Sequence, residues 1–125
     1  RAARQEDLVV HPAGCYVGLE GPRYESAAEV RAFALLGGDV VGMTGLPEAV
    51  LAREAGICYA TVAVVTNLGA GLSETPLSHD EVVATMAALR PRVLRVMLES
   101  LLALPPERAC PCARAPGRGL VAQML

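Results

Sequence analysis

The fold of this chain is decided by the stretch Gly37-Gly38-Asp39-Val40-Val41-Gly42-Met43-Thr44-Gly45-Leu46-Pro47-Glu48. The apolar pair Val40-Val41 ends in a short polar stop, and Pro47 then opens a helical pattern. This order is typical of a buried strand that ends at the carboxyl edge of a sheet, where open α/β folds bind their ligands. Glycines on both sides of Thr44 let a ligand come close to the backbone, and a helix N-terminus points at the same place.

The alternation of strand and helix continues on both sides of this stretch. Residues 15–22 are predicted to form a strand that ends at Gly-Pro, and Ser26-Ala27-Ala28-Glu29 is a capping box that starts a helix. Residues 47–55 predict a second helix, and the nearly continuous apolar run 57–66 predicts a third strand. This order of elements predicts an α/β fold with a mainly parallel sheet.

The rest of the chain adds one long helix and a tail. A second capping box, Ser78-His79-Asp80-Glu81, opens an amphipathic helix that Pro91 is predicted to kink or split. Residues 105–125 are rich in Pro, Gly and Arg and are predicted to be a tail of low order. Three strands are fewer than the about four to six of a typical sheet, so residues 1–104 are interpreted as an incomplete domain.

Composition narrows the class of protein. A chain of 125 residues fits a single domain, and its formal charge of −2, with arginines scattered along the chain, argues against binding to nucleic acid. No apolar run reaches about 20 residues without a charge, and the N-terminus lacks a hydrophobic signal core, so we expect a cytoplasmic protein without a membrane partner. The opening Arg1-Ala2-Ala3-Arg4 reads as the end of a helix that begins further upstream.

The four cysteines fall into two kinds. Cys15 and Cys58 lie in strand-like apolar runs and are predicted to be buried, inert thiols. Cys110 and Cys112 form a Cys-Pro-Cys pair in the polar tail. With no second pair and no histidine nearby, a zinc site is not expected, and no metal is predicted. A disulfide, either within the pair or to another cysteine, remains open.

Polar side chains follow the successive predicted strands, and together they favour a ligand site at one edge of the sheet. Each has a simpler alternative: an acidic residue is favoured before a helix by the dipole alone, and an asparagine is common in turns. A methionine can belong to the core, a threonine can cap a helix, and a histidine just inside a capping box can lie on the surface. The residues concerned are Tyr24, Glu25, Met43, Thr44, Asn67 and His79.

Residues 14–104 resemble the C-terminal half of the trimeric purine nucleoside phosphorylase and methylthioadenosine phosphorylase family. The resemblance is carried, in order and spacing, by Glu20-Gly-Pro-Arg-Tyr-Glu-Ser26, Gly42-Met-Thr-Gly-Leu-Pro-Glu-Ala-Val-Leu-Ala-Arg-Glu-Ala-Gly56 and Val64-Val-Thr-Asn-Leu-Gly-Ala-Gly71. It implies part of a phosphorylase-type mixed sheet flanked by helices, and a homotrimer for the full-length protein. In such enzymes phosphate, a co-substrate, attacks the anomeric carbon of a purine nucleoside and releases the free base and a pentose 1-phosphate. No cofactor is implied.

The resemblance also assigns roles to single residues on the ribose and phosphate side. Gly42 and Met43 match substrate-binding positions, with Met43 under the ribose, and Tyr16 matches an aromatic residue near the ribose. Thr44 matches the hydroxyl that donates to phosphate, and His79 matches the residue that reaches the ribose 5′-hydroxyl. Methylthio-nucleoside enzymes usually carry an apolar residue at the position of His79.

On the base side, Tyr24 matches an aromatic residue that packs on the purine, and Glu25 matches the carboxylate that accepts a hydrogen bond from the N1 proton of a 6-oxopurine. Asn67 matches the residue that faces N7 and the 6-substituent, where its amide can donate to O6 and accept a proton shared with N7. Contacts there are strongest in the transition state, because charge gathers on the purine as the glycosidic bond breaks. Relatives that use adenine nucleosides carry aspartate at this position and a small hydroxyl residue at the position of Glu25.

The pair Glu25 and Asn67 therefore favours inosine and guanosine as substrates. The alternatives are a methylthioinosine or methylthioadenosine phosphorylase, and a non-catalytic α/β module that pairs through an exposed sheet edge. The family's glycine-rich phosphate loop and Arg-x-His segment are not in this sequence, which leaves Thr44 as the one phosphate contact. The 125-residue polypeptide alone is therefore predicted to have little or no activity.

Overall fold

The computed structural model describes residues 2–74 and 78–114, and these form an α/β arrangement as predicted. Strands β1 and β2 pair in parallel, with Tyr16 opposite Val40 and Gly18 opposite Gly42. The elements are, in order, α1 (Ala2–Gln5), β1 (Tyr16–Gly18), α2 (Ala27–Leu35), β2 (Val40–Gly42), α3 (Gly45–Glu54), α4 (His79–Leu102) and a 3-10 helix (Pro111–Arg114).

Backbone and side-chain hydrogen bonds extend the strand pair at both ends. Before the strands, Asp39 accepts from the Cys15 N–H through Oδ2 at 2.7 Å and donates its own N–H to the Cys15 carbonyl at 2.9 Å. After the strands, the Leu19 N–H donates to the carbonyl of Gly42 at 2.8 Å. The carboxyl ends of β1 and β2 are therefore held side by side, which is the arrangement that the site needs.

The capping box that opens α2 is confirmed. The Ser26 hydroxyl accepts from the Glu29 N–H at 3.3 Å, and Glu29 Oε2 accepts from the Ser26 N–H at 2.8 Å. Helix α2 ends at Leu35, and Gly37 beyond it adopts φ +88°, a left-handed conformation that stops a helix and favours glycine.

Helix α3 begins at Gly45, two residues before the predicted start at Pro47. Pro47 is tolerated there because the N–H groups of a first helical turn have no partner within the helix. Thr44 is the residue before the helix, and its side chain makes no capping hydrogen bond.

Helix α4 runs without a break from His79 to Leu102, so of the two alternatives predicted at Pro91 the split is wrong, and the kink stays a prediction. Contacts beyond the proline account for this, because they hold the second half of α4 against the N-terminal segment. Arg95 pairs with Glu6 at 2.6 Å, and Arg92 donates to the Asp7 carbonyl at 3.5 Å. The lost backbone hydrogen bond at Pro91 is therefore offset by tertiary contacts.

The prediction of a third strand over residues 57–66 is wrong. Residues 57–66 join no sheet in the described part of the chain, and their large apolar side chains are mostly exposed, with Val62 and Val65 at 58% and 61%. An apolar run becomes a strand only when a neighbour completes its backbone hydrogen bonds, and the run itself cannot supply that neighbour. The segment is instead tied to α3, where the Tyr59 hydroxyl donates to Glu48 Oε2 at 2.9 Å.

Few apolar side chains are buried. Among residues 2–74 and 78–114 the buried hydrophobic side chains are Val30 and Val96, each 7% exposed, while Leu35 and Leu36 at the end of α2 are 90% and 83% exposed. The prediction that Cys15 and Cys58 are buried is also wrong, because both cysteines are exposed. An apolar surface of this extent is typical of a face that packs against further polypeptide.

Residues 105–125, predicted to be of low order, include the 3-10 helix Pro111–Arg114. Residues 115–125 lie outside the described residues. The domain boundary at residue 104 stays a prediction. In the described ranges, every helix is too short or too polar to cross a membrane.

Candidate functional site

The carboxyl ends of β1 and β2 bring two predicted site residues into contact. The phenol of Tyr16 lies directly over Gly42, so closely that any Cβ at this glycine would collide with the hydroxyl oxygen. A Cβ at Gly45 would lie 3.6 Å from the same hydroxyl. The ring of Tyr16 therefore requires glycine at position 42, whereas a Cβ at position 45 would make only an ordinary van der Waals contact with it.

The loop after β1 lies against the end of β2. A Cβ at Gly21 would lie 2.8 Å from the sulfur of Met43, so the close approach of Met43 to this loop depends on glycine. Because the loop leads directly into Tyr24 and Glu25, Met43 is placed next to the segment that carries both residues.

The segment that follows Asn67 lies on the first turns of α2. A Cβ at Gly71 would lie 2.6 Å from the Cβ of Ala27, and a Cβ at Gly69 would lie 3.1 Å from a methyl group of Val30. Ala27 begins α2 directly after Glu25 and Ser26. Gly69 and Gly71 therefore pack on the first turns of α2, which begins two residues after Glu25.

A side-chain hydrogen bond joins two predicted site residues that are 55 positions apart. The Tyr24 hydroxyl lies 3.1 Å from His79 Nδ1, and which group donates depends on the tautomer of the imidazole. This bond ties the first turn of α4 to the loop before α2. Tyr24 keeps 54% of its surface exposed, so its ring is open to a ligand.

An ion pair fixes the backbone of the loop that carries Tyr24 and Glu25. The Arg23 guanidinium donates to Glu29 at 2.6 and 3.0 Å and to the Tyr24 carbonyl at 3.2 Å. These contacts with Arg23, together with the two from Ser26, lower the pKa of the Glu29 carboxyl to about 2. Sequence reasoning missed Arg23, because a residue six positions before its partner and outside the helix gives no periodic signal.

The charge state of Glu29 gives a testable prediction about pH. Its pKa is lower in the folded chain than its ordinary value of 4.5, so the ion pair stabilises the fold fully above pH 4.5 and this stabilisation is lost as pH falls toward 2. Arg23→Gln is expected to raise the pKa of Glu29, though not to its ordinary value, because the contacts from Ser26 remain. An NMR titration of the Glu29 carboxyl measures the shift, with Arg53→Gln as the control. An unchanged pKa of Glu29 in Arg23→Gln would contradict the assignment.

The amide of Asn67 is oriented by its own neighbours. Its Nδ2 donates to the Leu68 carbonyl at 2.9 Å, and its Oδ1 accepts from the Thr66 hydroxyl at 2.6 Å. A carbonyl oxygen only accepts, so the NH₂ group has to face Leu68, and this determines which way the amide points. One N–H and one lone pair remain for a ligand.

Thr44 stands at the N-terminus of the ten-residue helix α3. Because its hydroxyl makes no capping bond, it is available to a ligand at the positive end of the helix dipole. The adjacent strand end carries Gly42 and Met43, so the hydroxyl, the thioether and the phenol of Tyr16 share one edge.

A second cluster of reactive groups lies apart from these loops. The thiol sulfurs of Cys58, Cys110 and Cys112 all lie within 4.8 Å of one another, and those of Cys58 and Cys110 are 3.1 Å apart. Hydrogen bonds from the backbone at Cys112 and from the Cys58 thiol lower the pKa of Cys110 to about 7. The hydrogen bond to Cys110 raises the pKa of Cys58 to about 11, because the proton is held between the two sulfurs.

Comparison with known proteins identifies the family. The profile of the phosphorylase superfamily matches residues 1–103. The chain belongs to the phosphorylase superfamily. The resemblance to nucleoside phosphorylases, inferred from three sequence segments, is thereby confirmed.

Relatives and solved structures agree with this assignment. The chain is 53% identical over 114 residues to the 6-oxopurine nucleoside phosphorylase of Pyrococcus furiosus, covering 91% of this chain and 43% of that protein. It is 46% identical over 115 residues to a probable S-methyl-5'-thioinosine phosphorylase of Methanopyrus kandleri, covering 92% and 45%. Its fold matches a methylthioadenosine phosphorylase from Schistosoma mansoni in complex with adenine, with a TM-score of 0.77, 29% identity, and coverage of 98% and 48%.

The chain thus spans less than half the length of these relatives. The missing neighbour of residues 57–66 and the exposed apolar side chains are consistent with a unit that packs against the remainder of such a protein. The interpretation as an incomplete domain rests on this agreement between the structure and the lengths of the relatives.

Proposed function

We propose that this chain supplies the base- and ribose-binding part of a phosphorylase that converts inosine or guanosine and phosphate into the free purine and ribose 1-phosphate. The observation that supports the proposal is the packing of Gly69 and Gly71, which follow Asn67, on the first turns of α2, which begins two residues after Glu25. In the proposal this packing brings the Asn67 amide, which has one donor and one acceptor left, and the half-buried Glu25 carboxylate to the same base.

In the proposed reaction a phosphate oxygen forms a bond to the anomeric carbon while the bond from that carbon to N9 of the purine breaks. The bonding electron pair moves onto the purine, which takes up at N7 the proton that the attacking phosphate loses. Asn67 donates to O6 and accepts a hydrogen bond from the proton at N7, and the Glu25 carboxylate accepts a hydrogen bond from N1–H. The donation from Asn67 to O6 strengthens as negative charge builds on the base, so it lowers the barrier, whereas Glu25 holds and selects the 6-oxopurine.

The remaining groups bind the sugar and phosphate in this proposal. Met43 packs under the ribose beside Gly42 and Tyr16, and the Thr44 hydroxyl donates to a phosphate oxygen. His79, held by Tyr24, reaches the 5′-hydroxyl. Inorganic phosphate is the co-substrate, no cofactor takes part, and the full-length protein is a homotrimer, for which the exposed apolar faces provide surface.

A second candidate substrate is S-methyl-5'-thioinosine, because relatives 44–46% identical to the chain are named as probable phosphorylases of that compound. If His79, hydrogen-bonded to Tyr24, reaches the 5′ position as proposed, its polar ring favours the 5′-hydroxyl of inosine over an apolar methylthio group. The ratio of kcat/KM for inosine and 5′-methylthioinosine separates the two candidates.

The proposal is tested by phosphorolysis assays on two polypeptides. The 125-residue chain alone is expected to show little or no turnover of inosine, because Thr44 is its one phosphate contact in the proposal. The same chain joined to the part of the Pyrococcus furiosus relative that it does not match is expected to release hypoxanthine and to sediment as a trimer.

Two results would overturn the proposal. Turnover by the isolated chain at the rate of the joined polypeptide would show that the missing segments are not required. A joined polypeptide that folds, binds no purine nucleoside and shows no turnover would favour the non-catalytic module instead.

A further inference from the structure

The three clustered thiols come from two distant parts of the sequence. Cys58 follows α3, whereas Cys110 and Cys112 flank the start of the 3-10 helix Pro111–Arg114. Contacts that involve no sulfur atom hold the two parts together: the Arg108 guanidinium donates to the Gly56 carbonyl at 3.0 Å, and a Cβ at Gly56 would lie 3.2 Å from the Cys112 carbonyl. These contacts therefore bring the three thiols together without any bond between sulfur atoms.

The spacing of the sulfurs fits a shared metal ion. Two thiolates bound tetrahedrally to one zinc ion at about 2.3 Å lie about 3.8 Å apart. The sulfurs of Cys58 and Cys110 are 3.1 Å apart and all three lie within 4.8 Å of one another, so small side-chain rotations bring them to that spacing. Pro111 restrains the backbone between Cys110 and Cys112, so the position of one cysteine relative to the other is largely fixed before an ion binds. Gly56 is also required to be glycine, because it adopts φ +67° beside Cys112.

We propose that Cys58, Cys110 and Cys112 form a three-thiolate site for one thiophilic metal ion, Zn²⁺ or Cu⁺. Thiolates are soft ligands and select these ions over the hard cations Mg²⁺ and Ca²⁺. Three sulfurs complete the coordination of Cu⁺, whereas Zn²⁺ takes a water molecule as its fourth ligand. The positive guanidinium of Arg108 offsets part of the negative charge of three thiolates. The bound ion joins the C-terminal segment to the end of α3.

A disulfide between Cys58 and Cys110 is the competing outcome. It requires an oxidant that accepts two electrons and two protons, and it leaves the Cys112 thiol without a role. The metal site uses all three thiols and requires no oxidant. Sequence reasoning excluded a zinc site because it considered the Cys-Pro-Cys pair alone, and the fold adds the third ligand.

The test uses the 125-residue chain, purified anaerobically under reducing conditions and stripped with a chelator. Zn²⁺ and Cu⁺ are titrated separately in competition with chromophoric chelators. At least one of the two ions is expected to bind with a stoichiometry of one ion per chain. Cys58→Ser and Cys112→Ser are each expected to weaken binding at least about tenfold. Cys15→Ser, the matched control at an exposed thiol outside the cluster, is expected to leave it unchanged.

A measurement on the unaltered chain keeps the test independent of how the variants fold. Refilling the stripped chain with the metal is expected to protect Cys110 and Cys112 from alkylation and to leave Cys15 reactive. The proposal is overturned if neither ion binds, if Cys58→Ser binds as tightly as the unaltered chain, or if a second preparation, purified anaerobically without reductant, carries a Cys58–Cys110 disulfide by mass.

Discussion

Asn67→Asp in the joined polypeptide is expected to lower kcat/KM for inosine by about 100- to 1,000-fold and to move the preference toward adenosine. The amide of Asn67 donates one N–H to O6 of a 6-oxopurine, whereas an ionised carboxylate repels that oxygen. A carboxylate accepts instead from the 6-amino group of adenine. The effect is large because the contact strengthens as negative charge gathers on the purine in the transition state.

The measurement is kcat/KM for inosine and adenosine with each variant. Gln5→Glu makes the same change from amide to carboxylate on exposed α1 and serves as the matched control, with no change expected. The Thr66 hydroxyl can still donate to the aspartate, so the variant side chain keeps one of its two local contacts. If the ratio of the two substrates is the same before and after substitution, Asn67 does not recognise the 6-substituent.

Glu25→Ala is expected to lower kcat/KM for inosine and guanosine by about 100-fold. Removing the carboxylate leaves the N1–H of a 6-oxopurine without its acceptor, and hydrogen bonds to charged groups are worth about 1.5–3 kcal/mol. Adenosine carries no proton on N1, so the rate with this poorer substrate is expected to change little. The side chain is half-buried between Tyr24 and the start of α2, where bulk water screens it only in part.

Glu20→Ala, an exposed carboxylate in the same loop, is the control for Glu25 and is expected to behave as the unaltered protein. The double variant Glu25→Ala and Asn67→Asp is expected to lose less activity on inosine than the sum of the two free-energy changes, because both side chains bind one base. Equal losses on inosine and adenosine in Glu25→Ala would contradict a role at N1.

The two loops that carry these residues differ in how far sequence determines them. The loop of Glu25 is framed by local signals, since the Ser26 and Glu29 capping box forms as the pattern predicts and Gly37 ends the helix. The parallel pairing of β1 and β2 likewise follows from two apolar runs joined by a helix, whereas their register is known only from the structure. Hydrogen bonds between residues close in sequence and steric limits on single residues decide the capping box and the end of the helix. Neighbouring residues therefore determine both features.

Other features depended on partners that are distant in sequence. The run 57–66 has the composition of a strand, yet it forms none in the described chain, because strand formation needs a neighbour that the run itself does not provide. Pro91 does not divide α4, because Arg92 and Arg95 are held by the N-terminal segment. The bond between Tyr24 and His79 could not be read from either position alone.

The amino-acid sequence by itself therefore determined the strand–helix alternation, the capped start of α2 and the family, because each depends on residue types at short or fixed spacing. Only the tertiary structure decided that Cys58 joins Cys110 and Cys112, that Arg23 holds the loop of Glu25, and that residues 67–72 lie on α2. The physical reason is that side-chain contacts across tens of residues depend on chain packing, which local patterns do not encode.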